Sequence, residues 1–163
     1  MGQADGTFKE GADAAGILNY ARGRGAALAD FNLDGMLDLV EVNYGAPVRV
    51  WRNVGSGDSA RPANQGNWLA LRVSQSSGNR DAIGSWVQVQ VGSKTLRREL
   101  TIGGGHAGGG LGWTHFGLGP ASSAKVRVIW PDGMMGPWMH AAANQFLDLE
   151  RGRTAPTRWQ PPA

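Results

Sequence analysis

The chain contains no cysteine, so neither a disulfide framework nor a thiolate metal site is open to it. That absence leaves the compartment undecided, since it suits an extracellular protein and a cytosolic one equally. No apolar run approaches the ~18–20 residues of a membrane span, and the opening stretch Met1 to Glu10 has no apolar signal core. A clustered basic stripe, the usual mark of a nucleic-acid binder, is missing too. Arg72, Arg80, Arg97, Arg98 and Arg127 are scattered over separate segments, and no nucleic acid is expected as a partner. There is no G-x-S-x-G elbow and no cysteine nucleophile. Outside one acidic loop the carboxylates (Asp81, Glu99, Asp132, Asp148, Glu150) lie far apart in sequence. Nothing in their spacing suggests the carboxylate pair that flanks a glycosidic bond. The expectation is a protein that is not an enzyme.

Glycine, by contrast, is abundant, with 26 in 163 residues, which favours turn-rich β structure over helix. The net charge of +3 hides an asymmetry: residues 1–60 carry 5 basic and 8 acidic side chains, residues 61–163 carry 11 and 5. Two units with different surfaces are implied. The alternating segments from Asn67 onward read as short strands between Gly and Pro turns. Leu69, Leu71 and Val73 share one face, as do Val87, Val89 and Val91. Leu96, Arg98, Leu100 and Ile102 share another, as do Val126, Val128 and Trp130, and Phe146 to Glu150 makes a last strand. Such a series indicates a sandwich or barrel. Only residues 137–145 suit a helical turn. The divisions expected are a first unit at 1–56, a linker at 57–66 with Gly, Ser and Pro composition, a second domain at 67–150 and a flexible, Arg- and Pro-rich tail at 151–163.

The most informative stretch is Asp30-Phe31-Asn32-Leu33-Asp34-Gly35-Met36-Leu37-Asp38. Oxygen-bearing side chains recur at Asp30, Asn32, Asp34 and Asp38, and Gly35 permits a sharp turn. Calcium takes about 6–8 oxygen ligands at roughly 2.3–2.6 Å, and a short loop can supply most of them. Alternate residues point inward while Phe31 and Leu33 point out, and Met36 offers its carbonyl. Asp30, Asn32, Asp34, Met36 and Asp38 are therefore the candidate Ca2+ ligands. The loop is not an EF-hand: Glu41, at the twelfth position, lies in a strand-like segment rather than a helix. The alternative is a plain Asx-type turn, which Asn, Asp and Gly favour in any case.

Other constellations weigh less. Gly103 to Gly108 matches G-x-G-x-x-G formally, but the following Gly109-Gly110-Leu111-Gly112-Trp113 cannot open the helix that a dinucleotide site needs. His106, His115 and His140 lack metal-ligand spacing. Arg80 and Asp81 read as a pair fixing a turn, or else as part of a ligand surface. Trp68, Trp86 and Trp130 read as strand-borne anchors, burial being the default for so large an apolar area.

Two stretches also carry a resemblance. Residues 24–53, around the acidic loop, resemble an FG-GAP or VCBS-type repeat, the calcium-loop blade of integrin-like β-propellers. Residues 67–150 resemble the ASPIC/UnbV domain. The matching pieces are Asn67-Trp68-Leu69, Asn79 to Gly84, Gly105-His106-Ala107, His115 to Gly119 and Val128 to Gly133. This order is that of the C-terminus of the cartilage-acidic-protein-like family and its bacterial relatives. The resemblance implies an all-β fold, a propeller-blade-like unit followed by an antiparallel β-sandwich-like domain. It also implies a non-catalytic calcium-binding module for adhesion or protein interaction, secreted, periplasmic or on the cell surface, with a protein or glycan partner. The alternative it leaves is an accessory protein or enzyme of secondary metabolism, like the enediyne-type UnbV relatives, using the glycine-rich His106 loop. A propeller has about 4–8 blades and a single repeat is recognisable here, so the chain is expected to be part of a longer one, or else its lone unit packs on the second domain.

Overall fold

The computed structural model describes residues 5–106, 108–110 and 112–162, and among them every regular element is a strand. In chain order these are β1 (Arg22–Ala29), β2 (Asp38–Tyr44), β3 (Arg49–Trp51), β4 (Asn67–Ser74), β5 (Trp86–Val91), β6 (Lys94–Glu99), β7 (Thr114–Gly119), β8 (Ser123–Ile129), β9 (Met139–Ala142), β10 (Gln145–Glu150) and β11 (Thr157–Arg158). They form a three-stranded sheet β1-β2-β3 and two four-stranded sheets, β11-β10-β4-β7 and β6-β5-β8-β9.

The two larger sheets make a sandwich because each strand offers an apolar residue at every second position. Leu69, Leu71 and Val73 of β4, Leu147 and Leu149 of β10 and Phe116 and Leu118 of β7 meet Val87 and Val89, Val126 and Val128, and Met139 and Ala141 from the other sheet. Each large side chain so buried contributes about 1.5–3 kcal/mol. One pairing departs from the antiparallel rule. β10 runs parallel to β4, from Gln145↔Leu69 to Glu150↔Ser74, which joins the first and last long strands of the sandwich side by side.

Four local expectations meet a different structure. Residues 137–145 hold no helical turn; β9 lies there, paired antiparallel with β8. Met139 and Ala141 alternate into the core, and that burial outweighs the helix preference of the alanines. β6 stops at Glu99, and Ile102, expected on its inner face, is exposed. The tail read as flexible is anchored: β11 pairs with β10, the Trp159 N–H donates to the Phe146 carbonyl at 2.9 Å, and its ring packs on Trp113 and Phe146. The segment read as a linker folds back on itself, with Ser56 N–H on the Ala63 carbonyl and Ala63 N–H on that of Val54.

In the three-stranded unit Leu28, Leu39 and Trp51 line up across the sheet. Much of its apolar surface has no cover: Leu28 and Val50 are each 63% exposed and Tyr44 is 65% exposed. Repeat units bury such faces against neighbouring repeats. The unit does touch the sandwich where the β1–β2 loop rests on the outer face of β4, and that contact positions the candidate site.

Candidate metal centre

The loop Asp30–Asp38 joins β1 to β2 and is built by its own side chains. Asp30 accepts the Asp34 N–H at 3.0 Å and the Gly35 N–H at 2.7 Å. Asp34 accepts the Met36 N–H at 2.9 Å and the Asn32 side-chain amide at 2.8 Å. Asp38, buried at the start of β2, accepts Phe31 N–H at 3.1 Å and, from beyond β3, Asn53 N–H at 2.8 Å. These bonds bend the chain inward at alternate residues, and two left-handed positions complete the turn, Leu33 at φ 61° and Gly35 at φ 87°.

Gly35 also fixes the loop to the sandwich. Its carbonyl lies 2.9 Å from His115 Nε2, and a Cβ there would fall 1.9 Å from Trp68 Nε1. The His115 and Trp68 rings stack at 5.8 Å, so together they form the platform on which the loop sits. Asn64 reaches the Asp34 carbonyl at 3.4 Å. Arg52 lies 3.8 Å from Asp34, an exposed pair of little energetic weight.

Burial raises the Asp30 carboxyl above its ordinary value; the Gly35 and Asp34 N–H groups pull the other way, and the Asp34 charge adds to the rise. A raised carboxyl favours the fold below its unfolded value and withdraws that support as pH rises through the folded value. Charge on Asp30 thus weighs against the loop, and a cation beside it would reverse the sign.

The donor set is entirely oxygen, as a hard cation requires. Each carboxylate oxygen has a second lone pair beyond the N–H it accepts. The carboxylates are held by backbone N–H groups rather than drawn together, and among the described residues no group of three or more His, Asp or Glu side chains converges as a metal cluster. Asp30, Asn32, Asp34, Met36 and Asp38 thus share one loop, with the three carboxylates turned to backbone N–H groups of that loop and of Asn53. Met36 is packed inward.

The remaining sequence candidates are dispersed. His115 serves the loop platform, His140 faces outward from β9 opposite Lys125, and His106 is exposed. Ala107 and Leu111 of the glycine-rich loop lie outside the described residues. A cleft of about 390 Å³ between the first unit and the sandwich is lined by Asp30, Ala70, Trp113, His115 and Phe146, without His106. Asn79 serves the backbone, its amide donating to the Ile83 carbonyl at 2.8 Å, and Arg80 pairs with Asp81 at 3.5 Å on the surface. The role of His115 and Trp68 in seating the loop had no sequence signal, because the contact spans 80 residues.

The ASPIC and UnbV family model matches residues 75–156, half of the chain. The chain belongs to the ASPIC and UnbV family. The matched stretch holds β5 to β10 but begins just after β4, so the ASPIC/UnbV sandwich needs a strand from before it. Cartilage acidic protein 1 of Mus musculus is 40% identical over 128 residues, 70% of this chain and 17% of that protein. The Homo sapiens protein of the same name is 40% identical over 60 residues, 36% of this chain and 9% of that protein; the Xenopus tropicalis protein matches to the same extent. The chain thus spans under a fifth of the length of these curated relatives. Among the described residues no helix is long and apolar enough to cross a membrane.

Proposed function

We propose that this chain is a non-catalytic calcium-binding module of a secreted, periplasmic or cell-surface protein. A single FG-GAP/VCBS-type unit (residues 1–56) would close around Ca2+ and hold the ASPIC/UnbV domain in a fixed orientation toward a protein or glycan partner. The observation that carries the reading is the Asp30–Asp38 loop, an all-oxygen donor set seated through Gly35 on the Trp68–His115 platform. Asp30, Asn32, Asp34, the Met36 carbonyl and Asp38 would hold the ion, which offsets carboxylate repulsion and stiffens the β1–β2 connection. The similarity to proteins named for cartilage supports an extracytoplasmic place, where weak sites of ~10⁻⁴–10⁻³ M suffice. The uncovered apolar faces of β1-β2-β3 support membership of a longer chain that supplies neighbouring repeats.

A thermal melt in about 2 mM calcium against excess chelator, with magnesium as control, tests it. A site of ~10⁻⁴ M would add about 2 kcal/mol, or about 4–7 °C for a chain of this size. No calcium-specific shift, together with no calcium binding by calorimetry, would leave the loop a plain turn.

A further inference from the structure

Strand register gathers basic side chains that the sequence scatters. On the outer face of the β6-β5-β8-β9 sheet, Arg97, Gln88 and Arg127 form one row across three strands, and Thr95, Gln90, Lys125 and His140 form the next row across four. Glu99 is the single acidic residue of these four strands. The two arginines are pre-set: the Arg97 guanidinium lies 4.7 Å over the Trp86 ring, and that of Arg127 lies 4.3 Å over Trp138. Arg127 Nε also donates to Gln88 Oε1 at 2.6 Å, which restrains its plane. Elsewhere Arg52, Arg72, Arg80, Arg151 and Arg153 are each paired with a carboxylate. Among the described residues Arg97, Lys125 and Arg127 have no such pair, a trait they share with Arg22, Arg49 and Arg61 outside this sheet, so it is their placement in adjacent rows that sets them apart.

From this placement we infer that the outer face of the β6-β5-β8-β9 sheet binds an acidic polysaccharide, a chain bearing sulfate or carboxylate groups. Arg97 and Arg127 stand two strands apart, about 10 Å, and Lys125 lies one side-chain repeat along the strand from Arg127, about 7 Å. A flat, repetitive polyanion can meet all three, with bidentate guanidinium contacts giving orientation. A single-stranded nucleic acid fits less well, because it needs open aromatic faces for base stacking, and guanidinium groups already lie over Trp86 and Trp138. A protein partner would need buried apolar anchors, whereas the two large rings of this face, Trp86 and Trp138, are capped by guanidinium groups. The inference names a partner surface for the module proposed above but does not rest on calcium, and chelator should leave it unchanged.

The test is retention on immobilised heparin (sulfated) and hyaluronate (carboxylated) at low salt, with dextran and a single-stranded oligonucleotide as comparisons, each with calcium and with chelator. Retention on at least one acidic polysaccharide and not on dextran is expected. Arg97→Gln, Lys125→Gln and Arg127→Gln together should weaken it by about tenfold or more and reduce the log K against log salt slope by about two. An equal-charge variant away from this sheet (Arg22→Gln, Arg49→Gln, Arg61→Gln) should leave both nearly unchanged. The double variant Arg97→Gln, Lys125→Gln keeps the Arg127–Gln88 bond and carries the same test if the triple variant melts early. Equal losses in the two triple variants would reduce the effect to net charge and overturn the inference. No retention on either polysaccharide would overturn it, as would tighter binding of the oligonucleotide through the same residues.

Discussion

A methyl group on Gly35 would sit 1.9 Å from the indole nitrogen of Trp68 in a backbone conformation of φ 87°, so both space and torsion oppose any side chain there. Gly35→Ala is expected to cost about 2–4 kcal/mol and to change the near-UV circular dichroism of Trp68. Asp34 and Asp38 should separate by function. Asp38 satisfies the N–H groups of Phe31 and Asn53 from a buried position, so Asp38→Ala should lower the melting temperature even in chelator, by about 1–3 kcal/mol for the donors left unpaired. Asp34 is more exposed, and Asp34→Ala should chiefly abolish the calcium-dependent gain; a variant that kept the full gain would remove Asp34 from the ligand set. Ser85 is fully buried, yet among the described residues its hydroxyl finds no partner. Ser85→Ala should be neutral or stabilising by up to about 1 kcal/mol in denaturant titration, because it removes a polar group whose bond to water was lost on folding.

Among the elements, those with strict alternation could be read directly. Leu69, Leu71 and Val73, Val87 and Val89, and Val126, Val128 and Trp130 all face the core as their spacing requires. β9 escaped because Met139 to Ala142 is short and alanine-rich, and only its docking on β8 decides its form. β4 is only half legible in its sequence: its outward Trp68 and Ala70 are buried as well, under the acidic loop and the aromatic cluster of Phe146, Trp113 and Trp159. β11 has no apolar pattern at all and exists through two register pairs with β10 and the Trp159 ring. The loop's donor types could be read as a local pattern, whereas its seat on His115 could not. Trp159→Ala should therefore release β11, cost about 1–3 kcal/mol from lost apolar contact, and speed amide exchange at Thr157 and Arg158. Unchanged exchange there would mean that β11 holds without its anchor.

Across the whole molecule the two units are stabilised unequally. The sandwich has a continuous apolar core between its sheets, whereas β1-β2-β3 leaves Leu28, Val42 and Val50 open and rests on the sandwich through the acidic loop. Hydrogen exchange should show β1 to β3 opening well before β4, β5, β8 and β10, with calcium slowing the first group alone. Uniform protection would mean that the contact at Gly35 and His115 makes one cooperative body.

The parallel seam between β4 and β10 also sets a timetable. β4 is made early, but its pairing with β10 requires a strand some 76 residues later, as the Arg72–Asp148 bond shows. Contacts of such long separation delay folding, since the closing entropy comes before the reward. On the ribosome β4 would therefore wait, its two apolar faces uncovered, until nearly the entire ASPIC/UnbV stretch had emerged, which makes this interval the period of greatest exposure to misassociation.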